Sequence, residues 1–209
     1  MTLRPPTITS FTVQLPADRR VQLRFEEKLS EQEFAEFCAA HRDLLVEREP
    51  DGQLLIMSPI HYLSGGQEAD IITDLNIYAR EAKNGKVYSS STGFTLPDGS
   101  VRSADAMFVS NRQRANLTEA EKHSFARLVP EFIVEIRSDS DKLGPLQTKM
   151  KDVWMANGVR LGWLIDSKNK VTYVYRADGS EAVISGFDQT LDGQDVLPGF
   201  AFDLSVMEV

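Results

Sequence analysis

Apolar and polar positions along this chain switch repeatedly between the spacing of helices and that of strands. Ser30-Glu31-Gln32-Glu33 opens the first clear element: Ser30 is an N-cap, and Glu33 three positions on completes a capping box. Phe34, Phe37, Cys38 and His41 then share one stripe, predicting a helix to about residue 41 that covers a sheet. Residues 44–57, LLVEREPDGQLLIM, hold two strand-like runs around Pro50-Asp51-Gly52, which is the turn chemistry of a β-hairpin. Glu47 and Glu49 share one face of it, and base rates favour a solvated face over one in which Glu47 points into a site. A loop over 58–66 leads to a helix predicted over 67–83, with Ile71, Leu75, Tyr78 and Ala79 or Ala82 as its buried stripe and Asn84-Gly85 as its end.

The second half is richer in strands. Residues 86–91 and 93–96 read as extended, and Pro97-Asp98-Gly99 turns the chain. Ala106-Met107-Phe108-Val109 is a strand. Residues 112–127 are polar, a loop plus a short helix capped by Thr118 and Glu121. Residues 131–137 form a strand around the apolar run 132–136, 145–157 a helix with Leu146, Met150, Val153 and Trp154 on one face, and Gly158 closes it. A strand over 159–166 pairs with one over 170–176 across Ser167-Lys168-Asn169, and the remainder is turn-rich. The order predicts a mixed α/β sheet flanked by helices, with residues 1–28 as an N-terminal arm and 29–209 as one domain.

Composition narrows the class. At 209 residues, with 42% hydrophobic and 26% charged positions, the chain is an ordinary globular one. It contains no apolar run long enough to span a membrane, and its first residues lack the apolar core of a signal peptide. The single Cys38 excludes an internal disulfide framework and points to a reducing cytoplasm, while His41, His61 and His123 are too scattered for a zinc site. A net charge of −8 argues against a simple basic nucleic-acid binder, though a site built on carboxylates tolerates it.

Two acids stand apart from the rest. Asp105 precedes the strand 106–109, and Glu135 sits inside Phe132-Ile133-Val134-Glu135-Ile136. A carboxylate on a buried strand costs several kcal/mol, roughly, unless a cation compensates. Arg137 follows on the same strand face, and the region of Lys142, Lys149, Lys151 and Arg160 is the most basic part of the chain. An Asp, then Glu-x-basic on a central strand, has the form of a divalent-metal site that cuts phosphodiesters. The other reading of Glu135 is an ion pair with Arg137 or Lys149, and of Asp105 a turn residue at a strand start. Glu68 and Asp70 have a sufficient structural role in the predicted first helical turn, and Asp98, Asp139, Asp141 and Asp166 read as solvated turn acids.

GFTLPDGSVRSADAMFV, PEFIVEIRSDSD, LQTKM and NGVRLGWLID, in this order, resemble the Uma-type restriction-endonuclease family of the PD-(D/E)XK nuclease superfamily, most densely over residues 45–166. The resemblance implies a restriction-endonuclease-like core and an endonuclease that hydrolyses DNA with magnesium or manganese. It implies Asp105 and Glu135 as primary metal ligands, with Asp70 or Glu68 as a further, water-mediated one and the Ile136 carbonyl as another. Arg137 stands where the family has lysine, and Lys149 matches the family's second basic position; this assigns phosphate binding to Arg137 and placement of the attacking water to Lys149. Ala104 replaces the usual proline, which removes a φ constraint but no ligand. Superfamily analogy adds a homodimer, since a double-strand cut needs two sites. Two alternatives stand beside it: a non-catalytic module with the nuclease fold, which the net charge and Arg137 support, and a hydrolase of another phosphate ester.

Overall fold

Unbroken apolar runs bury both faces of a strand, and that fixes the centre of this molecule. In the computed structural model, which describes residues 21–23, 29–139 and 141–208, strand β8 (Phe132–Arg137) lies in the middle of a six-stranded sheet. Its neighbours are β7 (Ala106–Ser110), antiparallel, and β9 (Leu161–Asp166), parallel. The sheet continues through β4 (Gly85–Ser89) on one side and through β10 (Val171–Arg176) and β11 (Glu181–Ser185) on the other. It is therefore a mixed sheet, as the element order predicts.

Side-chain alternation along β8 splits the core in two. Phe132, Val134 and Ile136 face helix α2 (Tyr62–Ala82), packing with Ile71, Leu75 and Ala79 and with Trp163, Phe200 and Phe202. Ile133 faces the opposite side, where Leu146, Met150 and Trp154 descend from the β8–β9 crossover. That crossover begins as helix α5 (Leu143–Thr148) and continues as a π-helix, Lys149–Met155, where the sequence predicts one plain helix over 145–157. A second sheet, β1 (Val21–Leu23), β3 (Leu54–Met57), β2 (Leu45–Arg48), β6 (Val101–Arg102) and β5 (Phe94–Thr95), in that spatial order, is covered by helix α1 (Glu31–Ala40). Short helices α3 (Asn111–Arg114) and α4 (Glu119–Lys122) link β7 to β8.

The capping boxes at Ser30–Glu33 and Thr118–Glu121 form as predicted. On α1, Phe34 is buried, Phe37 and Cys38 are half-buried, and His41 is exposed, so the buried stripe is shorter than expected. Helix α2 starts at Tyr62, inside the stretch 58–66 expected to be loop. Its buried face comprises Gln67, Ile71, Leu75 and Ala79, with Tyr78 half-buried and Ala82 exposed. Lys83, in the left-handed region at φ 51°, caps it rather than Asn84-Gly85. Gly85 serves β4 instead: a Cβ there would lie 2.3 Å from the Phe108 ring and 2.6 Å from the Val109 carbonyl oxygen. The turn-rich tail adds β11, the hairpin of β12 (Thr190–Asp192) and β13 (Ala201–Asp203), and a short 3-10 turn, Leu204–Met207. The predicted arm over 1–28 lies outside the described residues apart from β1, as does Ser140. Among the described residues no helix is long and apolar enough to cross a membrane.

Candidate active site

Strand register brings the two singled-out acids together. Ala106 pairs with Val134 across antiparallel β7 and β8, so Asp105, one residue earlier, lies opposite Glu135. The Ile136 backbone N–H donates to Asp105 Oδ2 at 2.6 Å. Glu135 Oε1 accepts the Trp154 indole N–H at 2.7 Å and lies 2.8 Å from Lys149 Nζ. Asp105 Oδ1 and Glu135 Oε2 make no hydrogen bond to the described residues, and neither is sealed from solvent.

Charge in the cluster is unbalanced. Burial, then the neighbouring Glu135 carboxylate and more weakly Glu68, hold the Asp105 carboxyl well above the usual carboxylate range, against the opposing pull of the Ile136 N–H and Lys149. Burial pulls the Lys149 ammonium down, but Glu135 and Glu47 outweigh it and raise the group above its ordinary value. Lys149 therefore stays protonated across the neutral range.

Glu47 corrects the solvated-face expectation. It is 2% exposed and sits 3.6 Å from Lys149 Nζ. It also takes the Ser103 N–H and an Arg102 N–H, each at 3.1 Å. Burial raises its carboxyl, yet Lys149 and Arg102 bring it below the ordinary value. Lys149 also donates to the Ser103 carbonyl at 3.3 Å, so β2, β6, β8 and the π-helix converge on one ammonium. Glu49, expected on the same solvated face, is half-buried and pairs with the Arg102 guanidinium.

The remaining candidates divide. Glu68 is half-buried, accepts the Ser90 hydroxyl at 2.7 Å, and its charge reaches Asp105. Asp70, two residues on and so roughly 200° around the helix, is exposed and acts instead on Asp74, whose carboxyl is raised by burial and then by Asp70. Because α2 begins at Tyr62, neither acid is in its first turn. Arg137 shares the face of Glu135, but its Nη1 donates to Asp166 Oδ2 at 2.7 Å and its Nε to the Asp141 carbonyl at 3.1 Å. Asp166, expected to be a solvated turn acid, is fully buried, because the parallel register sets it beside Arg137. Arg137 lines a cleft of about 260 Å³ with Gln67, Lys168 and Lys170 among its walls. Trp154 and Glu47 are the site neighbours that sequence reasoning missed as such; Trp154 read only as an apolar helix face.

No three His, Cys, Asp or Glu side chains among the described residues stand close enough to form a ready-made metal cage. The donor chemistry nonetheless suits a hard divalent cation: two adjacent carboxylates, each with one free oxygen, hold more negative charge than Lys149 neutralises.

Comparison with known proteins bears on the family and the fold. No curated protein gives a match. A solved structure, that of a putative nuclease belonging to DUF820 from Anabaena variabilis ATCC 29413, superposes with a TM-score of 0.65 over 78% of this chain and 88% of that one, at 14% identity. The fold is thus the restriction-endonuclease-like one, a mixed sheet with flanking helices. The sequence model of one family, described as putative restriction endonuclease, matches residues 31–206, and with most of its length matched the chain belongs to that family, Uma2.

Proposed function

We propose that this protein is a divalent-metal-dependent endonuclease that hydrolyses DNA phosphodiester bonds, with Asp105, Glu135 and Lys149 as its working groups. The observation that carries the reading is the meeting of the Asp105 and Glu135 carboxylates across β7 and β8, with the Lys149 ammonium on Glu135. Asp105 Oδ1 and Glu135 Oε2 are the oxygens that would hold magnesium or manganese, with Glu68 within charge reach as a water-mediated third. A cation held there would lower the pKa of a water and neutralise phosphate oxygens.

Lys149, held protonated, orients the attacking water and donates to the developing negative charge; it does not act as the base. Glu47 keeps that ammonium charged and aimed. Arg137 has its Nη1 and Nε engaged, and offers the rest of its guanidinium to a backbone phosphate in the cleft beside Lys168 and Lys170. Asp70 takes no part. Cutting both strands with one such centre per chain calls for two copies, and the free Cys38 suits a reducing cytoplasm.

A second reading has its own support. Lys149 already neutralises one carboxylate, and no three-acid cage exists among the described residues, so the same cluster could serve as a structural ion network in a non-cleaving module. Calorimetric titration with magnesium and manganese separates the two. Binding by the wild type that disappears in both Asp105→Asn and Glu135→Gln supports the nuclease; no binding with or without DNA leaves the module.

A further inference from the structure

Two donors five residues apart meet on one oxygen of Glu135. The Trp154 indole N–H reaches Oε1 at 2.7 Å, and Lys149 Nζ stands 2.8 Å from the same atom. In an α-helix, at about 100° per residue, side chains five apart point roughly 140° away from each other. Lys149–Met155 is π-helical: the Ala156 N–H reaches back to the Lys151 carbonyl at 3.0 Å, and the Val159 N–H to the Trp154 carbonyl at 3.1 Å. Hydrogen bonds spanning five residues widen the turn and bring positions i and i+5 onto one face. Lys149 Nζ accordingly lies 5.7 Å from the centre of the Trp154 ring. The ring itself is fully buried, clustered with Met150, Leu146 and Leu164, so the indole N–H is a donor that cannot swing away.

We propose that Trp154 is a positioning residue that makes Glu135 a one-oxygen ligand and so biases the site toward a small octahedral cation over calcium. The inference rests on the metal-site reading above. With Oε1 occupied by an indole N–H and an ammonium, Oε2 is the oxygen of Glu135 left without a hydrogen bond to the described residues. Calcium accepts carboxylates through both oxygens in a loose shell, whereas magnesium demands near-ideal octahedral geometry and is held through few carboxylate oxygens. The ammonium shares Oε1 but rides on a flexible stem, whereas the buried indole is fixed, so Trp154 is the donor that keeps Oε1 from the cation and selects the smaller ion by geometry.

The test is calorimetric titration of wild type, Trp154→Phe and Trp163→Phe with magnesium and with calcium, alongside thermal melts. Trp163 is a buried indole in the opposite core, stacked on Phe200, and controls for loss of ring bulk. The expected result is a 10–100-fold weaker magnesium affinity in Trp154→Phe, the usual size of such an outer contact. The magnesium-to-calcium ratio should fall with it, and Trp163→Phe should bind as the wild type does. Unchanged affinity and ratio in a folded Trp154→Phe overturn the proposal and leave the metal site standing. Absence of binding by the wild type overturns both. If Trp154→Phe does not fold, the two indole N–H resonances of the wild type decide: that of Trp154 must move on adding magnesium while that of Trp163 stays, and an unmoved Trp154 signal overturns the proposal.

Discussion

Replacing Lys149 by methionine keeps much of the stem's apolar contact and removes only the charge. Its ammonium lies 2.8 Å from Glu135 and 3.6 Å from Glu47, whose side chains are 7% and 2% exposed. At an effective dielectric of about 20 these pairs are worth about 6 and about 5 kcal/mol gross, most of it offset by desolvation. The two acids do not suffer equally. Glu47 keeps Arg102 and the Ser103 N–H, while Glu135 keeps only the neutral Trp154 N–H. Truncating one partner of such a pair strands a buried charge and costs about 3–5 kcal/mol. For a domain this size that lowers the melting temperature by roughly 6–20 °C. Adding Glu135→Gln to Lys149→Met removes the stranded charge while still accepting the indole N–H, and is expected to recover at least half the loss. Urea unfolding of wild type, both singles and the double closes the cycle. A Lys149→Met protein within about 1 kcal/mol of wild type, or additive singles, would refute the reasoning.

Three further outcomes follow from the same geometry. Asp105→Asn should melt above wild type at neutral pH in metal-free buffer: the carboxyl is raised on folding, so its stabilisation is present in acid and lost as pH climbs through the folded pKa. The two proteins should converge in acid, and a lower neutral melting temperature for the variant would contradict this. Arg137→Met should destabilise by about 3–5 kcal/mol by leaving the buried Asp166 charge with only neutral donors, among them the Asn169 N–H groups, and Arg137→Met/Asp166→Asn should recover much of it in urea titrations. Gly85→Ala should cost at least the roughly 1–3 kcal/mol of overpacking, against a rigid ring and a backbone oxygen; Gly162→Ala meets the flexible Met150 methyl at 2.6 Å and should cost less. Reversal of that order would be inconsistent with the packing described.

What the sequence revealed and what it hid divide along the range of the interactions. Capping boxes at Ser30 and Thr118 and the hairpin of β2 and β3 depend on residues a few positions apart, so they were legible. The apolar run of β8 marked the sheet centre, and an acid inside it marked the site. The start of α2 was hidden because Gly65-Gly66 reads as a breaker, yet burial of Ile71, Leu75 and Ala79 outweighs that local cost. Glu47 and Asp166 were misread because strand alternation gives a face, not the neighbour on it. The neighbours come from Ser103 and Lys149, far along the chain, and from a parallel register. Arg137 shows the same limit: sharing a face with Glu135 did not say that Asp166 would claim it. The π-helical turn behind Trp154 has no signature in residue spacing, so the indole donor could not be foreseen.

The most direct test of the nuclease assignment is conversion of supercoiled plasmid to nicked and linear forms by purified protein, with and without magnesium or manganese, for wild type, Asp105→Asn, Glu135→Gln and Lys149→Met. Metal-dependent cutting by the wild type, lost in the two carboxylate variants and strongly slowed in Lys149→Met, is the predicted result. Cutting that persists in Glu135→Gln, or a metal-loaded wild type that cuts no DNA, would contradict it.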